Sequence, residues 1–209
     1  MTIIQFIEKN EISEVLHFTT HNGLIGILDS QMLKPRSRLS ENKRLEHILQ
    51  LNTPKLLDPD WEQFINLSIS RINSHLFNIA SSNWHQHASW RILSFSPDIL
   101  SHEEVMFTTT NNIYTGVERN EGLQGLEKLY EPSILRWQNN RIFRSPLIHS
   151  SFPTCEQAEV MYPKDLPTAF LKKIYVAKEE DLMAVEASFG FVGHNIVDVI
   201  VDPSKFGIS

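Results

Sequence analysis

From Ile65 to Ser70 the chain changes chemical character at every step: Ile65, Leu67 and Ile69 are apolar, while Asn66, Ser68 and Ser70 are polar. Only extended backbone sends alternate side chains to opposite faces. The run therefore predicts a strand with one face in a core and a wet face carrying Asn66, Ser68 and Ser70. Further strands are predicted at Val15–Thr19, Trp90–Phe95, Val105–Thr109, Gln157–Tyr162, Leu171–Val176 and Asn195–Val201. Helices are expected after Asn22, which would cap a face of Leu24, Ile27 and Leu28, then around Leu45, Ile48 and Leu49, from Leu123 to Tyr130 and near Glu180–Ser188. The order is mixed rather than a regular alternation of strand and helix, so the expected class is α+β, not a doubly wound nucleotide fold.

With 209 residues, 41% of them apolar, the chain can bury one substantial core, and no shift in composition divides it; a single domain over residues 1–209 is expected. The lone Cys155 fits a reducing compartment, and no run of about 20 apolar residues could span a bilayer, so a cytoplasmic protein without membrane contact is expected. A formal charge of −6 disfavours wholesale binding to duplex nucleic acid. Basic residues are nonetheless clustered at Lys34, Arg36, Arg38, Lys43 and Arg44, and again at Arg136, Arg141 and Arg144, where Trp137 and Phe143 are interleaved. Either cluster reads first as a solvated face, and more sharply as a surface for phosphates and stacked bases.

Phosphate-binding glycine loops of the common nucleotide folds are absent from the sequence. His85 and His87 could place two imidazoles together, but no third ligand is indicated and no metal site is expected. What stands out is a carboxylate, Glu159, placed where a loop turns into a strand, in Cys155-Glu156-Gln157-Ala158-Glu159-Val160.

Ordered motifs join Glu159 to the rest of the chain. They are His17-Phe18-Thr19 with Asn22-Gly23-Leu24 and Ile27-Leu28, then Asn66-Leu67-Ser68-Ile69-Ser70 with Ile72 to Phe77. Trp90-Arg91-Ile92-Leu93 through Asp98-Ile99-Leu100, Phe107 and Asn111-Asn112 follow, and Gln157-Ala158-Glu159-Val160 with Pro163, Leu171 and Lys173–Val176 closes the series. In this order the chain resembles the DarT-type ADP-ribosyltransferases over residues 15 to 176. The resemblance implies a split β-sheet core with flanking helices and a cleft for NAD as substrate. It also implies transfer of ADP-ribose to a base in single-stranded DNA, a toxin's role, and a macrodomain antitoxin as partner.

By the same resemblance Glu159 would stabilise the ribosyl cation, an electrostatic role worth about 2.7–4 kcal/mol of barrier. His17, Thr19, Asn22 and Gly23 would hold NAD, with the hydroxyls of Ser68 and Ser70 lining the cleft. Gln157 would contact the acceptor, and Trp137, Arg141 and Phe143 would lie in the acceptor-contacting loop. The family's acceptor-activating arginine has candidates in Arg36, Arg38 and Arg44, with Arg44 favoured and Arg71 as substitute. Transfer to RNA or protein, and a non-catalytic module binding a nucleotide or nucleic acid, remain as alternatives.

Overall fold

The fold is organised around the strand that the alternation predicts. The structure is a computed structural model that describes residues 1–39, 61–84 and 86–207. In chain order its helices are α1 (Ile3–Lys9), α2 (His21–Ser30), α3 (Ser74–Ile79), α4 (Gly122–Lys128) and α5 (Glu179–Val192). Its strands are β1 (Val15–Thr20), β2 (Met32–Leu33), β3 (Ile65–Ile69), β4 (Trp90–Phe95), β5 (Met106–Thr108) and β6 (Arg119–Glu121), then β7 (Ser133–Leu135), β8 (Arg141–Phe143), β9 (Glu159–Tyr162), β10 (Leu166–Pro167), β11 (Leu171–Val176) and β12 (Asp198–Val201). Eight of the strands form one mixed sheet in the order β12-β11-β4-β1-β3-β9-β5-β6.

β3 is the seam of that sheet. Its end, Ser68 and Ile69, pairs with Leu16 and Val15 of β1, whereas its beginning, Ile65 to Leu67, pairs with Tyr162 to Val160 of β9. Past Leu16, β1 continues along β4 and leaves β3 behind, with His17 opposite Leu93 and Thr19 opposite Arg91. The sheet therefore splits on the line between His17 and Asn66, as the α+β reading with a split core implies.

The apolar residues of β3 face a large core. Ile65, Leu67 and Ile69 pack there with Val15, Leu93, Phe95 and Val160, under Leu24, Ile27 and Leu28 of α2 and Val185 and Phe189 of α5. A smaller cluster of Leu16, Ile72, Phe77, Ile92, Tyr175 and Phe206 covers the opposite face. Buried on that face, Glu14 accepts hydrogen bonds from Ser94 and Tyr175, each at 2.8 Å, and pairs with Lys205, tying the C-terminal turn to the sheet.

Local chemistry sets the helix ends. Thr20, not Asn22, caps α2: its Oγ1 accepts the Gly23 N–H at 3.2 Å, so the helix begins at His21 and Asn22 lies exposed in the first turn. Glu179, Glu180 and Asp181 place negative charge in the first turn of α5, where the helix dipole favours it, and left-handed Gly193 (φ 69°) ends that helix.

Two expectations for β3 are corrected. Ser68 is buried (9% exposed), and Ser70 leaves the strand in a left-handed conformation (φ 61°), itself buried and bonded through its N–H to the Glu14 carbonyl. Only Asn66 of the three remains exposed. The stretch expected to be irregular up to Pro153 contains the β7–β8 hairpin, and β9 starts at Glu159, so Gln157 precedes the strand rather than sharing its face. The helical pattern at Leu45, Ile48 and Leu49 lies outside the described residues.

Candidate active site at the seam of the sheet

Glu159 opens β9 directly opposite Thr108 of β5. Continuing the pairing of Leu67 with Val160 by one step sets it beside Ser68, on the side of the sheet that carries Asn66. Its side chain is nearly enclosed, at 4% exposure. One carboxylate oxygen, Oε2, accepts the Asn112 backbone N–H at 3.0 Å, and the Asn66 side chain also hydrogen-bonds the group. Burial pushes the carboxyl up to about 7, opposed by the donors Asn112 and Asn66 and by the charge of Arg119. A carboxylate so poised is costly to ionise without a cation nearby, which suits a group meant to meet a developing positive charge.

His17 stands across the seam. Its Nδ1 lies 3.1 Å from the Asn66 carbonyl oxygen, which can only accept, so Nδ1 carries the proton and Nε2 keeps a lone pair. Burial holds the imidazole below its usual range, in the neutral form this requires. Asn66 thus bridges the two groups: main-chain oxygen to His17, side chain to Glu159.

Arg119 completes the setting from β6, opposite Thr108. Its Nε and Nη2 donate to the Oδ1 and main-chain oxygen of Asn112, both at 2.6 Å, while its guanidinium lies 4.9 Å from the centre of the Trp61 ring. Neither Arg119 nor Trp61 was singled out by the sequence, and no periodicity could have found them: the Thr108 row of the sheet brings Arg119 and Glu159 together.

The remaining predicted site residues divide into groups. Thr19 is half-buried on β1 beside the buried Arg91, which donates to Asp181 at 3.1 Å. Gly23, whose surrounding backbone was expected to hold NAD, gives its N–H to the Thr20 cap, and Asn22 lies exposed in the same turn. Gln157 is fully buried, its Oε1 accepting from Arg136 at 3.0 Å, two residues before Glu159. Arg71 is half-buried: it donates to the Pro153 carbonyl at 3.2 Å and lies over the Phe152 ring. Arg44 lies outside the described residues. Arg38 pairs with Asp165 at 3.1 Å. Arg36, beside Glu62, has its pKa lowered by burial.

The aromatic residues of the β7–β8 hairpin are exposed, Trp137 by 57% and Phe143 by 74%. Trp137 stacks on Tyr114, ring centres 6.1 Å apart and planes 21° from parallel. Short connections tie that pair to the carboxylate: Tyr114 is two residues beyond Asn112, and Trp137 follows the Arg136 that holds Gln157. Arg141, exposed, donates to Ser133 at 2.9 Å and lines a polar recess with Thr109, Glu118 and Glu131. Arg144 is consumed internally, donating to the carbonyls of Phe152, His149 and Ser150.

Among the described residues there is no group of three or more His, Cys, Asp or Glu side chains able to hold a metal ion, and no helix long and apolar enough to cross a membrane.

A family model described as ssDNA thymidine ADP-ribosyltransferase, DarT, matches residues 16–207. Among curated proteins no match was found. The fold is similar to Thermus sp. 2.9 DarT in complex with NAD+, with a TM-score of 0.65 at 15% identity, covering 94% of this chain and 98% of that one. It is likewise similar to Thermus sp. 2.9 DarT in complex with ADP-ribosylated ssDNA, at 0.59, 15% identity, 94% and 97%. Thermosipho africanus DarTG in complex with ADP-ribose gives 0.62 at 13% identity, covering 94% of this chain but 51% of that one, so the chain spans about half that protein's length.

Proposed function

The chain belongs to the DarT family of NAD-dependent ADP-ribosyltransferases acting on single-stranded DNA, and from that membership we propose that Glu159 and His17 form the transfer site at the seam, with a thymidine as acceptor. Breaking the bond between nicotinamide and ribose sends the bonding electron pair out with nicotinamide and leaves positive charge on the sugar. Glu159, held by Asn112 and Asn66, supplies the opposing charge without having to reorganise, the condition under which such a group lowers a barrier most. His17 Nε2, an acceptor in the neutral ring, takes a hydrogen bond from the sugar or nicotinamide side. Thr19 and Asn22 border the same end of β1, and Ser68 keeps a small hydroxyl where a larger side chain would fill the cleft.

The acceptor base gives up a proton as its new bond to the ribose forms. Arg44 is the group we propose to assist that step, and Arg36 is an alternative within the described residues. Trp137, stacked on Tyr114, and Phe143 offer rings to the bases of the strand, with Arg141 toward its phosphates. A toxin's role, opposed by a macrodomain antitoxin that removes the modification, is the physiological setting we propose from the family.

The observation that carries the reading is the enclosed Glu159 carboxylate, fixed by a backbone N–H and joined through Asn66 to His17 across the split. Labelled NAD is incubated with single-stranded oligonucleotides with and without thymidine, and with RNA. Label on thymidine-containing DNA, lost in Glu159→Gln and removed by a macrodomain hydrolase, is the expected result. Absence of label on every DNA, or its persistence in Glu159→Gln, overturns it.

A further inference from the structure

We propose that Arg119 is a positioning residue for transfer: held against Trp61, it clamps Asn112 by side chain and main chain together and so aims the Asn112 N–H at Glu159. The inference rests on the reading of Glu159 as the group that meets the ribosyl cation.

Glu159, Thr108 and Arg119 occupy one row across β9, β5 and β6. Residues directly opposite on neighbouring strands put their side chains on the same face. Thr108, fully buried, is short and turns its hydroxyl to the Thr110 carbonyl at 2.9 Å. The space above it admits Asn112, which is 3% exposed. Arg119 therefore reaches the carboxylate through Asn112, and a direct bidentate ion pair, which would cover the oxygens needed for substrate, is replaced by one neutral N–H.

Asn112 lies in a loop, where a peptide plane is free to rotate unless something fixes it. Its Oδ1 and O are both taken by Arg119 and its N–H by Glu159. The planar fork of a guanidinium fixes two oxygens at a set separation, which a lysine's single ammonium cannot do. The base of the clamp is itself fixed. The Trp61 ring backs the guanidinium at 4.9 Å, and α4 sits so close to β6 that a Cβ on Gly125 would lie 2.2 Å from the Asn120 carbonyl oxygen, next to Arg119. Arg119 on β6 is also the charged group acting on the carboxyl among the described residues; the other groups acting on it, Asn66 from β3 and Asn112 from the loop after β5, are neutral, as is His17 beyond Asn66.

The test compares Arg119→Gln, Arg119→Lys, Asn112→Ala and Glu159→Gln in the full chain by steady-state transfer from NAD to a thymidine-containing single strand, as a function of pH, with thermal melting alongside. Arg119→Gln is expected to lower kcat by roughly ten- to a hundredfold with the KM for NAD changed less than about threefold, the signature of support realised in the transition state. It is also expected to move the acid limb of the kcat profile to higher pH, with Arg119→Lys recovering part of the loss. Asn112→Ala keeps the aimed N–H but loses one arm of the clamp, so its kcat is expected to fall by a smaller factor, and it supplies the test where Arg119→Gln does not fold. An unchanged kcat and pH profile in folded Arg119→Gln and Asn112→Ala, or a loss that tracks melting temperature alone, overturns the proposal while an inactive Glu159→Gln leaves the reading of the site intact. An active Glu159→Gln overturns both.

Discussion

The two sides of the seam are built differently. On one side, β1, β4 and β11 run in long register, His17 opposite Leu93 and Ile174 opposite Leu93 in turn, with Val15, Phe95 and Val176 wholly buried between the sheet and α2 and α5. On the other side, β5, β6 and β9 are three or four residues long, and the loops between them are held by side chains: Arg119 on Asn112, Arg136 on Gln157, Arg144 on the carbonyls near Phe152. The first side is a core that shape and hydrophobic burial maintain. The second also packs Phe107 and Val160 into that core, but the loops that set Glu159 in place are held by guanidinium groups. Stability and catalysis should therefore respond to substitution in opposite places.

The largest effect expected from this contrast is on stability. Phe95 is fully buried in the core side, one strand from His17. Phe95→Ala should cost about 3–5 kcal/mol through lost transfer energy and the cavity left behind. Chemical denaturation measures the loss, and at a temperature where the variant is folded its kcat should stay within a few-fold of the unaltered protein. A variant that is stable but inactive would break the division of labour.

Glu159→Gln is the converse case. Transfer should fall by about a hundred- to a thousandfold, corresponding to about 2.7–4 kcal/mol of barrier. Stability should rise at neutral pH and above. The folded carboxyl titrates near 7 against an ordinary value of 4.5, so the native state binds more protons than the unfolded state between those limits, and stability falls as pH rises through that window. The change amounts to on the order of 1–3 kcal/mol across it. Denaturation midpoints at pH 5 and pH 8 should therefore differ more for the unaltered protein than for Glu159→Gln. If Glu159 acts ionised, as proposed, the acid limb of kcat/KM should lie near 7; a limb near 4.5 would show that the carboxylate is not desolvated.

The same contrast decides what the sequence could reveal. β3 was legible because it obeys period two against a core, β1, β4 and β11 as short apolar runs bounded by polar or turn residues, and α2 because Leu24, Ile27 and Leu28 share a face. Glu159 was legible as a carboxylate at a loop–strand junction once the ordered motifs tied it to His17. The clamp was not legible. Arg119, Asn112 and Trp61 have no common period, and their meeting depends on which strands pair, a fact of the sheet that residues nearby in sequence do not encode. For the same reason Gln157 and Arg71, assigned to the acceptor by resemblance, and Arg136 and Arg144, read from composition as part of a basic surface, are found bonded to groups of their own chain. Asn22 was misread as a cap because Thr20, two residues earlier, closes the turn equally well and ends the strand besides.

Trp137 gives the finest test of the comparison, because it stands on the second side yet bears on neither the core nor the carboxylate. Its ring is more than half exposed and backed by Tyr114, a rigid stacked pair presented at the tip of a hairpin whose Gln138 and Asn139 are both left-handed. A base laid on such a ring gains about 1–3 kcal/mol irrespective of its identity. Trp137→Ala should accordingly raise the KM for single-stranded DNA by about tenfold and leave the KM for NAD, the acid limb and the melting temperature essentially as they were. Trp137→Phe should recover most of the loss, since a ring remains. If Trp137→Ala instead moves the acid limb, the hairpin is mechanically joined to Glu159 through Arg136 and Gln157, and the second side works as one body and not as a carboxylate with a separate platform beside it.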